Sequence, residues 1–316
     1  MSKSKPMDMG TDPKLDVAGL GYCAYDILAI TPGPPRFDEV AGLHVADLVR
    51  DGGGPVGTAL TALARLGAQT GYVGVLGEDE EGRFLYNRFI QERVDVTRLR
   101  MRTDVGTNVC LLLVEQATAH RAILCHQRVD ASALTLDDDD RAYIQSAHVL
   151  HLDGQFMPAA IEAARWAREA GRKVCFDANH PRSGLEELLP LVDWLVVAEP
   201  FPAAYTSLPD PEDGARQLLS LGAEVVVVTQ GERGCQVWTV DDQLRAPGFA
   251  VQAVDTTGAG DAFHGAFIYA MLQRWDLYQV ATFANAVAAI NCQTLGGRRG
   301  LPTLAEVQAL LETRRS

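Results

Sequence analysis

The segment running from Val254 to Phe263 (V-D-T-T-G-A-G-D-A-F) joins a glycine-spaced turn to the start of an apolar helix. Gly258 and Gly260 allow the backbone to turn tightly. The amides of Gly258, Ala259 and Gly260 then point one way, at the positive end of the following helix. Such a cradle holds phosphate oxygens or a developing negative charge. Asp261 falls in the first helical turn, beside that anion site. Its carboxylate either steadies the helix dipole, worth about 0.3–1 kcal/mol, or accepts the proton of an attacking hydroxyl. The second role belongs to phosphoryl transfer onto an alcohol.

Other candidate groups stand at the ends of apolar runs. Asn179 and Arg182 follow the run Lys173–Asp177, at the carboxyl edge of a parallel strand, where α/β sheets bind ligands and where both could touch phosphate. Asn108 precedes the β run Val109–Glu115, and Arg128 follows the run Arg121–His126. Asn108 can donate and accept, while Arg128 can grip an anionic substituent; the plainer reading is a strand-end contact and a solvated charge. His148 and His151 point to opposite faces of one strand and cannot share a metal. Asp137–Asp140 reads as the acidic start of a helix. His264 suits packing or support of Asp261. The pattern Gly19-x-Gly21-x-x-Ala24 imitates a dinucleotide fingerprint, but Tyr25–Ile30 runs into prolines where that fingerprint needs a helix. A hydride-transferring oxidoreductase is set aside on that ground. A G-x-x-x-x-G-K-[ST] loop is absent from the sequence.

A second glycine-rich stretch, Gly52-Gly53-Gly54-Pro55-Val56-Gly57-Thr58, leads into a helix ending at Gly67. With the Asp255–Asp261 segment about two hundred residues later, it resembles the paired signatures of the ribokinase-like (PfkB family) carbohydrate kinases. The resemblance covers residues 15–312. It implies an α/β fold, a central mostly parallel sheet flanked by helices, with a small β lid. It implies ATP-dependent phosphorylation of a hydroxyl on a sugar or sugar-like molecule, with Mg²⁺ and K⁺ as associated ions. By the same resemblance, Asp261 is the base, and the amides of Gly258, Ala259 and Gly260 form the anion hole. Asp26, Gly53 and Gly54 contact the sugar, joined by Thr58, which stands where an Asn is usual. Thr229, Gly231 and Gly234 lie along the nucleotide. Asn291 and Gly296 close over adenine, and Asp255 and Thr257 hold a monovalent cation. Glu199 stands near the usual outer-sphere Mg²⁺ partner, in a shifted position. Variant residues around these motifs look similar to a branch that includes sulfofructose kinases; a ketose, ribose, 2-keto-3-deoxygluconate and a nucleoside stay open. A non-catalytic sugar- or nucleotide-binding sensor is the reading from another class, and the intact Gly258–Asp261 segment argues against it.

The elements that must hold these groups follow from periodicity. Strand-like Leu15–Gly19, His148–Leu152, Lys173–Asp177, Trp194–Ala198 and Glu224–Thr229 alternate with helical 58–66, 158–170 and 213–221, which predicts a parallel sheet covered by helices. The C-terminal third reads as helices over 262–273, 277–292 and 304–314, the last opened by a Thr303–Glu306 capping box. Segments 31–50 and 100–126 fit no parallel sheet and predict a small antiparallel lid, with residues 1–14 a flexible terminus. An exposed lid edge favours homodimers joined through the lid.

Composition sets outer limits. Twenty-eight basic and 41 acidic residues leave a net charge of −13, a poor match to a nucleic-acid backbone. The longest apolar segment, Leu188–Ala198, is far short of a membrane span. The six cysteines form no C-x-x-C pair, and Cys110, Cys175 and Cys235 read as core thiols rather than parts of a disulfide framework. Met1–Asp8 lacks the apolar run of a secretory leader. The expectation is a soluble cytoplasmic protein binding a small sugar and ATP, without nucleic-acid or membrane partners.

Overall fold

The computed structural model describes residues 15–35 and 42–314. In chain order the strands are β1 Leu15–Leu20, β2 Ala24–Thr31, β3 Asp47–Gly53, β4 Thr70–Gly77, β5 Leu99–Arg102, β6 Val109–Glu115, β7 Arg121–His126, β8 Ala147–Leu152, β9 Lys173–Ala178, β10 Trp194–Ala198, β11 Val225–Thr229, β12 Cys235–Trp238 and β13 Gln243–Ala246. The helices are α1 Pro55–Leu66, α2 Glu80–Gln91, α3 Asp138–Gln145, α4 Met157–Glu169, α5 Leu185–Leu188, α6 Phe201–Thr206, α7 Pro211–Ser220, α8 Ala259–Leu272, α9 Leu277–Asn291 and α10 Leu304–Thr313. Nine strands form one sheet in the order β13-β12-β11-β10-β9-β8-β1-β4-β5. From β11 to β5 the neighbours run parallel, and β12 and β13 add an antiparallel edge. Strands such as Val225–Val228 are buried throughout because helices cover both faces. One apolar layer carries Val56, Leu60 and Leu63 of α1 with α8 and α9. The other carries α4 and α7. Among the described residues no helix is long and apolar enough to cross a membrane. Thr303 and Glu306 form the expected capping box, and Asp137 and Asp140 form another at α3.

Four further strands make the lid, in the order β3-β2-β6-β7. Its boundaries differ from the expected 31–50 and 100–126. β2 already enters it at Ala24 and β3 ends at Gly53, whereas Leu99–Arg102 pairs with β4 in the large sheet. There Leu99 is buried and Arg100 bonds the capping carboxylate of Asp140. The lid is also mixed rather than antiparallel, because β2 and β6 run parallel with Asp26 opposite Cys110. Residues 1–14 and 36–41, parts of the expected flexible terminus and lid, lie outside the described residues. The reading of Cys110 as a core thiol needs correction too. The β6–β7 hairpin sets Cys110 directly opposite Cys125, fifteen positions on, and the two form a disulfide. Cys175 and Cys235 are buried free thiols, as expected.

Two buried carboxylates fasten the pieces of the site. Asp51, at the end of β3, accepts from the amides of Gly52 at 2.9 Å, Arg298 at 2.9 Å and Arg299 at 3.1 Å. Asp255 accepts from Thr257 at 2.9 Å and Gly296 at 3.0 Å. The turn Gly296–Arg299 is thereby tied to both glycine-rich segments. Replacing Asp51 by Ala orphans buried amides, which costs about 1–3 kcal/mol. Asp51→Ala is therefore expected to lower the urea midpoint by that equivalent, and an unchanged midpoint would show that the tie contributes nothing to stability.

Candidate active site

A cavity of about 840 Å³ opens beside the Gly258–Gly260 turn. Thr229, Gly231 and Gly234, at the end of β11, form one wall; Ala259, Gly260 and Phe263 of α8 form another. The lid hairpin contributes Thr118, Ala119 and His120. Its size suits a nucleotide. Asn291 and Gly296, expected over adenine, are absent from this wall. Asn291 is fully buried and its Nδ2 donates to the carbonyls of Thr257 and Gly297, both at 3.2 Å. Gly296 gives its amide to Asp255. Both fasten the anion-binding turn instead, and Asn285, Ala288 and Cys292 face the cavity in their place.

Gly258 takes φ +74°, and a Cβ there would sit 2.7 Å from the Gly297 carbonyl oxygen. Only glycine fits this approach. Ala259 turns its amide back to the Thr256 carbonyl at 3.3 Å. Among the described residues, the amides of Gly258, Gly260 and Asp261 have no protein acceptor. Of the three amides expected in the anion hole, that of Ala259 is thus already spent on the protein, and that of Asp261 joins the two left unbonded. Gly260 is exposed, and a Cβ there would meet open space rather than strain.

Asp261 follows in the first turn of α8 and remains partly exposed. Burial of its surroundings pushes its pKa up to about 7, with Asp177 adding like-charge repulsion. Asp177, at the end of β9, rises to about 8 by burial and the neighbouring Asp153. His264 stands between them: its Nδ1 donates to the Gly260 carbonyl at 2.7 Å and lies 3.5 Å from Asp177 Oδ2. Across the pocket, burial raises Asp26 to about 8, and Asp51, Asp261 and Asp255 reinforce the shift. The Asp26 carboxylate packs against Gly53, where a Cβ would collide with it. Asp26, packed against Gly53, thus lies within electrostatic reach of Asp261, and none of the three residues lines the cavity.

Several other expected contacts are committed elsewhere. Thr58 is fully buried in α1 with its hydroxyl 3.4 Å from Arg298 Nε, so it faces packing rather than a sugar. Gly54 starts α1. The Asn108 side-chain oxygen accepts the amides of Arg128 at 2.8 Å and Val129 at 3.0 Å. Arg128 pairs with Asp79 at 3.2 Å. Glu199 is held by Arg233 at 2.5 Å and Gln230 at 3.2 Å. Asp255 spends both oxygens on amides, which leaves the buried, unpartnered Thr257 hydroxyl from the expected cation pair. Asn179 bonds Asp177 at 3.1 Å, and Arg182 lies 3.3 Å from His180; neither lines the cavity.

Asp51, Arg298 and Arg121 matter to the site although nothing in their local sequence marks them. Arg298 is buried under the Gly52–Gly53 backbone, donates to the Gly53 carbonyl at 2.6 Å and lies over the Phe89 ring. Arg121 of β7 bonds the Thr256 hydroxyl.

A nucleotide-sized cavity, unbonded amides at the start of α8 and a group of carboxylates with raised pKa lie together, an arrangement suited to phosphoryl transfer. The model of the pfkB family carbohydrate kinases matches residues 14–304, and the chain belongs to that family. It is an ATP-dependent sugar kinase. It is 28% identical to the ribokinase of Haemophilus influenzae over 266 residues, covering 82% of this chain and 87% of the relative. It is 29% identical to the 5-dehydro-2-deoxygluconokinase of Shouchella clausii, covering 95% and 96%. The fold is shared with an Arabidopsis thaliana ribokinase solved with ribose and ATP: TM-score 0.83, 23% identity, covering 94% and 99%.

The raised pKa of Asp261 carries a stability consequence. Its folded-state value, about 7, lies above the unfolded value of 3.8. The folded state holds this proton more tightly, so the associated stability is full below pH 3.8 and is lost as pH rises towards 7. Asp261→Asn, permanently neutral, is expected to raise Tm, and more at pH 8 than at pH 5. An equal shift at both pH values would contradict the buried-charge account.

Proposed function

We propose that this chain transfers the γ-phosphoryl group of ATP to a hydroxyl of a sugar or sugar-like molecule, with Asp261 as the general base. The observation supporting this is the place of Asp261 in the first turn of α8, next to the cavity-lining Gly260 and within electrostatic reach of Asp26. Sugar hydroxyls donate to Asp26, and the closeness of Gly53 keeps the backbone against the ring. Asp261 takes the proton of the attacking hydroxyl. The amides of Gly258, Gly260 and Asp261 meet charge on the transferring group, in a reaction where the protein mainly supplies position and electrostatics.

No three His, Cys, Asp or Glu side chains among the described residues could hold a metal ion together. In this reading Mg²⁺ would arrive on the nucleotide phosphates and neutralise charge there, with Asp177 a buried carboxylate at the end of β9 acting on Asp261. The orphaned Thr257 hydroxyl supports a K⁺ contact better than Asp255 does. With Arg128 tied to Asp79, the sulfonated-sugar reading loses the ligand nominated for it. Coupled ADP release across a panel of sugars, sulfosugars and nucleosides identifies the acceptor.

Asp261→Asn is expected to lower kcat by about 10²-fold or more, with little change in KM for ATP. The kcat/KM of the wild type falls towards acid pH, with an apparent pKa near 7 as the base protonates. A variant retaining more than about a third of wild-type kcat would remove Asp261 from the role, on the same general-base scale.

The reading includes a homodimer joined through the lid. Leu48 and Leu124 are 58% and 54% exposed on the lid's edge strands, an open edge that pairing would cover. Sedimentation is expected to give a dimer, weakened at least about tenfold by Leu124→Asp, since one buried Leu contributes about 1.5–3 kcal/mol. A wild-type monomer at micromolar concentration would end this part of the reading.

A further inference from the structure

Arg121 lies on β7, the outer strand of the lid, whose six residues are all exposed. Register fixes the face it occupies. Arg121 pairs with Val114 and Cys125 with Cys110, while Cys110 pairs with Asp26 on β2. Alternation along the strands therefore puts Arg121 on the same face of the lid as Asp26, and that face looks onto the site. From there its Nη1 reaches the Thr256 hydroxyl, in the cavity wall beside the Gly258–Gly260 turn. The preceding residues, Thr118 to His120, line the same cavity. The guanidinium is close enough to Asp261 to counter part of that carboxylate's upward shift.

The other arginines around the site are differently placed. Arg128 is paired with Asp79, Arg233 with Glu199, and Arg298 is sealed beneath Gly52 and Gly53. Arg182, also without a carboxylate partner among the described residues, bonds His180 outside the cavity lining and bears on Asp153 and Asp177. Among the described residues Arg121 has no carboxylate partner, only the neutral Thr256 hydroxyl. The reacting phosphoryl group must meanwhile approach Asp26, Asp153, Asp177 and Asp261 in a chain of net charge −13. A cation left uncommitted at that point has an evident use.

We infer that Arg121 is a catalytic residue delivered by the lid, whose guanidinium leaves Thr256 to bind the non-bridging oxygens of the phosphoryl group in transit. This rests on the kinase reading above and adds the lid to the chemical step. A charge-assisted, bidentate contact with phosphate is stronger than one bond to a hydroxyl, so arrival of the triphosphate drives the exchange. In the step itself, the sugar oxygen forms its bond to phosphorus and gives its proton to Asp261. The bond from phosphorus to the ADP oxygen breaks, and ADP leaves with that electron pair. Arg121 stays protonated throughout and only donates hydrogen bonds.

The test compares Arg121→Met and Arg121→Lys with wild type, in turnover and in calorimetric binding of ADP and of a non-hydrolysable ATP analogue. Arg121→Met is expected to lower kcat by about 10²–10³-fold, the scale for losing one donor to developing charge. It should also lose most of the preference for the ATP analogue over ADP, while its sugar Kd stays within about twofold, less than 0.5 kcal/mol. Arg121→Lys should recover part of both, and added guanidinium should partly rescue Arg121→Met. Retention of more than about a third of kcat, against that same scale, overturns the inference. So does an equal loss of affinity for ADP, analogue and sugar, which marks a lid latch only. Failure of the wild type to release ADP with any acceptor defeats the kinase reading instead; the analogue-to-ADP preference still tests Arg121.

Discussion

The geometry of the site depends on a turn, Gly296–Arg299, that does not line the cavity. Gly296–Arg299 is gripped by Asp51 from one side and by Asp255 and Asn291 from the other. Through it, the end of lid strand β3 is locked to the start of α8, although about two hundred residues separate them. Each carboxylate accepts backbone amides that are mostly buried, so the tie is both strong and directional. Gly258 completes the contact, since its backbone lies where any Cβ would strike Gly297. The sugar-side glycines and the anion cradle therefore keep their spacing without sharing a secondary-structure element.

That arrangement concentrates negative charge. Asp26, Asp177 and Asp261 are all pushed well above the usual carboxylate range by burial and by one another. Arrays of this kind reduce stability at neutral pH and are retained where chemistry needs a base near neutrality. His264 limits the cost by bonding the Gly260 carbonyl and standing beside Asp177. Arg298 does the same beneath Asp26, where its charge opposes the upward shift. Local sequence shows the carboxylates but not these compensations.

The fold was legible because its strands are continuous apolar runs and its helices begin and end at glycine, proline or capping residues. Val109–Glu115 and Arg121–His126 match β6 and β7, and Trp194–Ala198 matches β10, residue for residue. The strand Thr70–Gly77 was not legible, since its three glycines dilute the apolar signal. The site divides differently. The turn at Gly258 and the place of Asp261 in the first turn of α8, both set by backbone shape within ten residues, were readable. Asn108, Arg128 and Asn291 were readable as polar groups near the site, but not as groups already spent on Val129, Asp79 and Gly297. Which partner a long side chain takes is decided by contacts across the fold. Asp51 and Arg298, 247 positions apart and joined through one carboxylate, lie beyond what spacing can encode.

The lid shows why the two halves of the site need each other. β2 and β6 are parallel neighbours only because the chain leaves the large sheet twice, after β1 and after β5, and each excursion returns to it. Asp26 enters on the first excursion and Arg121 on the second. A lid made from either alone would carry one of these two groups. Built from both, it sets the Asp26 carboxyl and the Arg121 guanidinium on a single face. The β6–β7 hairpin is braced by the Cys110–Cys125 disulfide, four residues from Arg121. Because both groups sit on one sheet, any movement of that sheet carries Asp26 and Arg121 together, which under the proposed reading couples sugar binding to approach at the phosphate site.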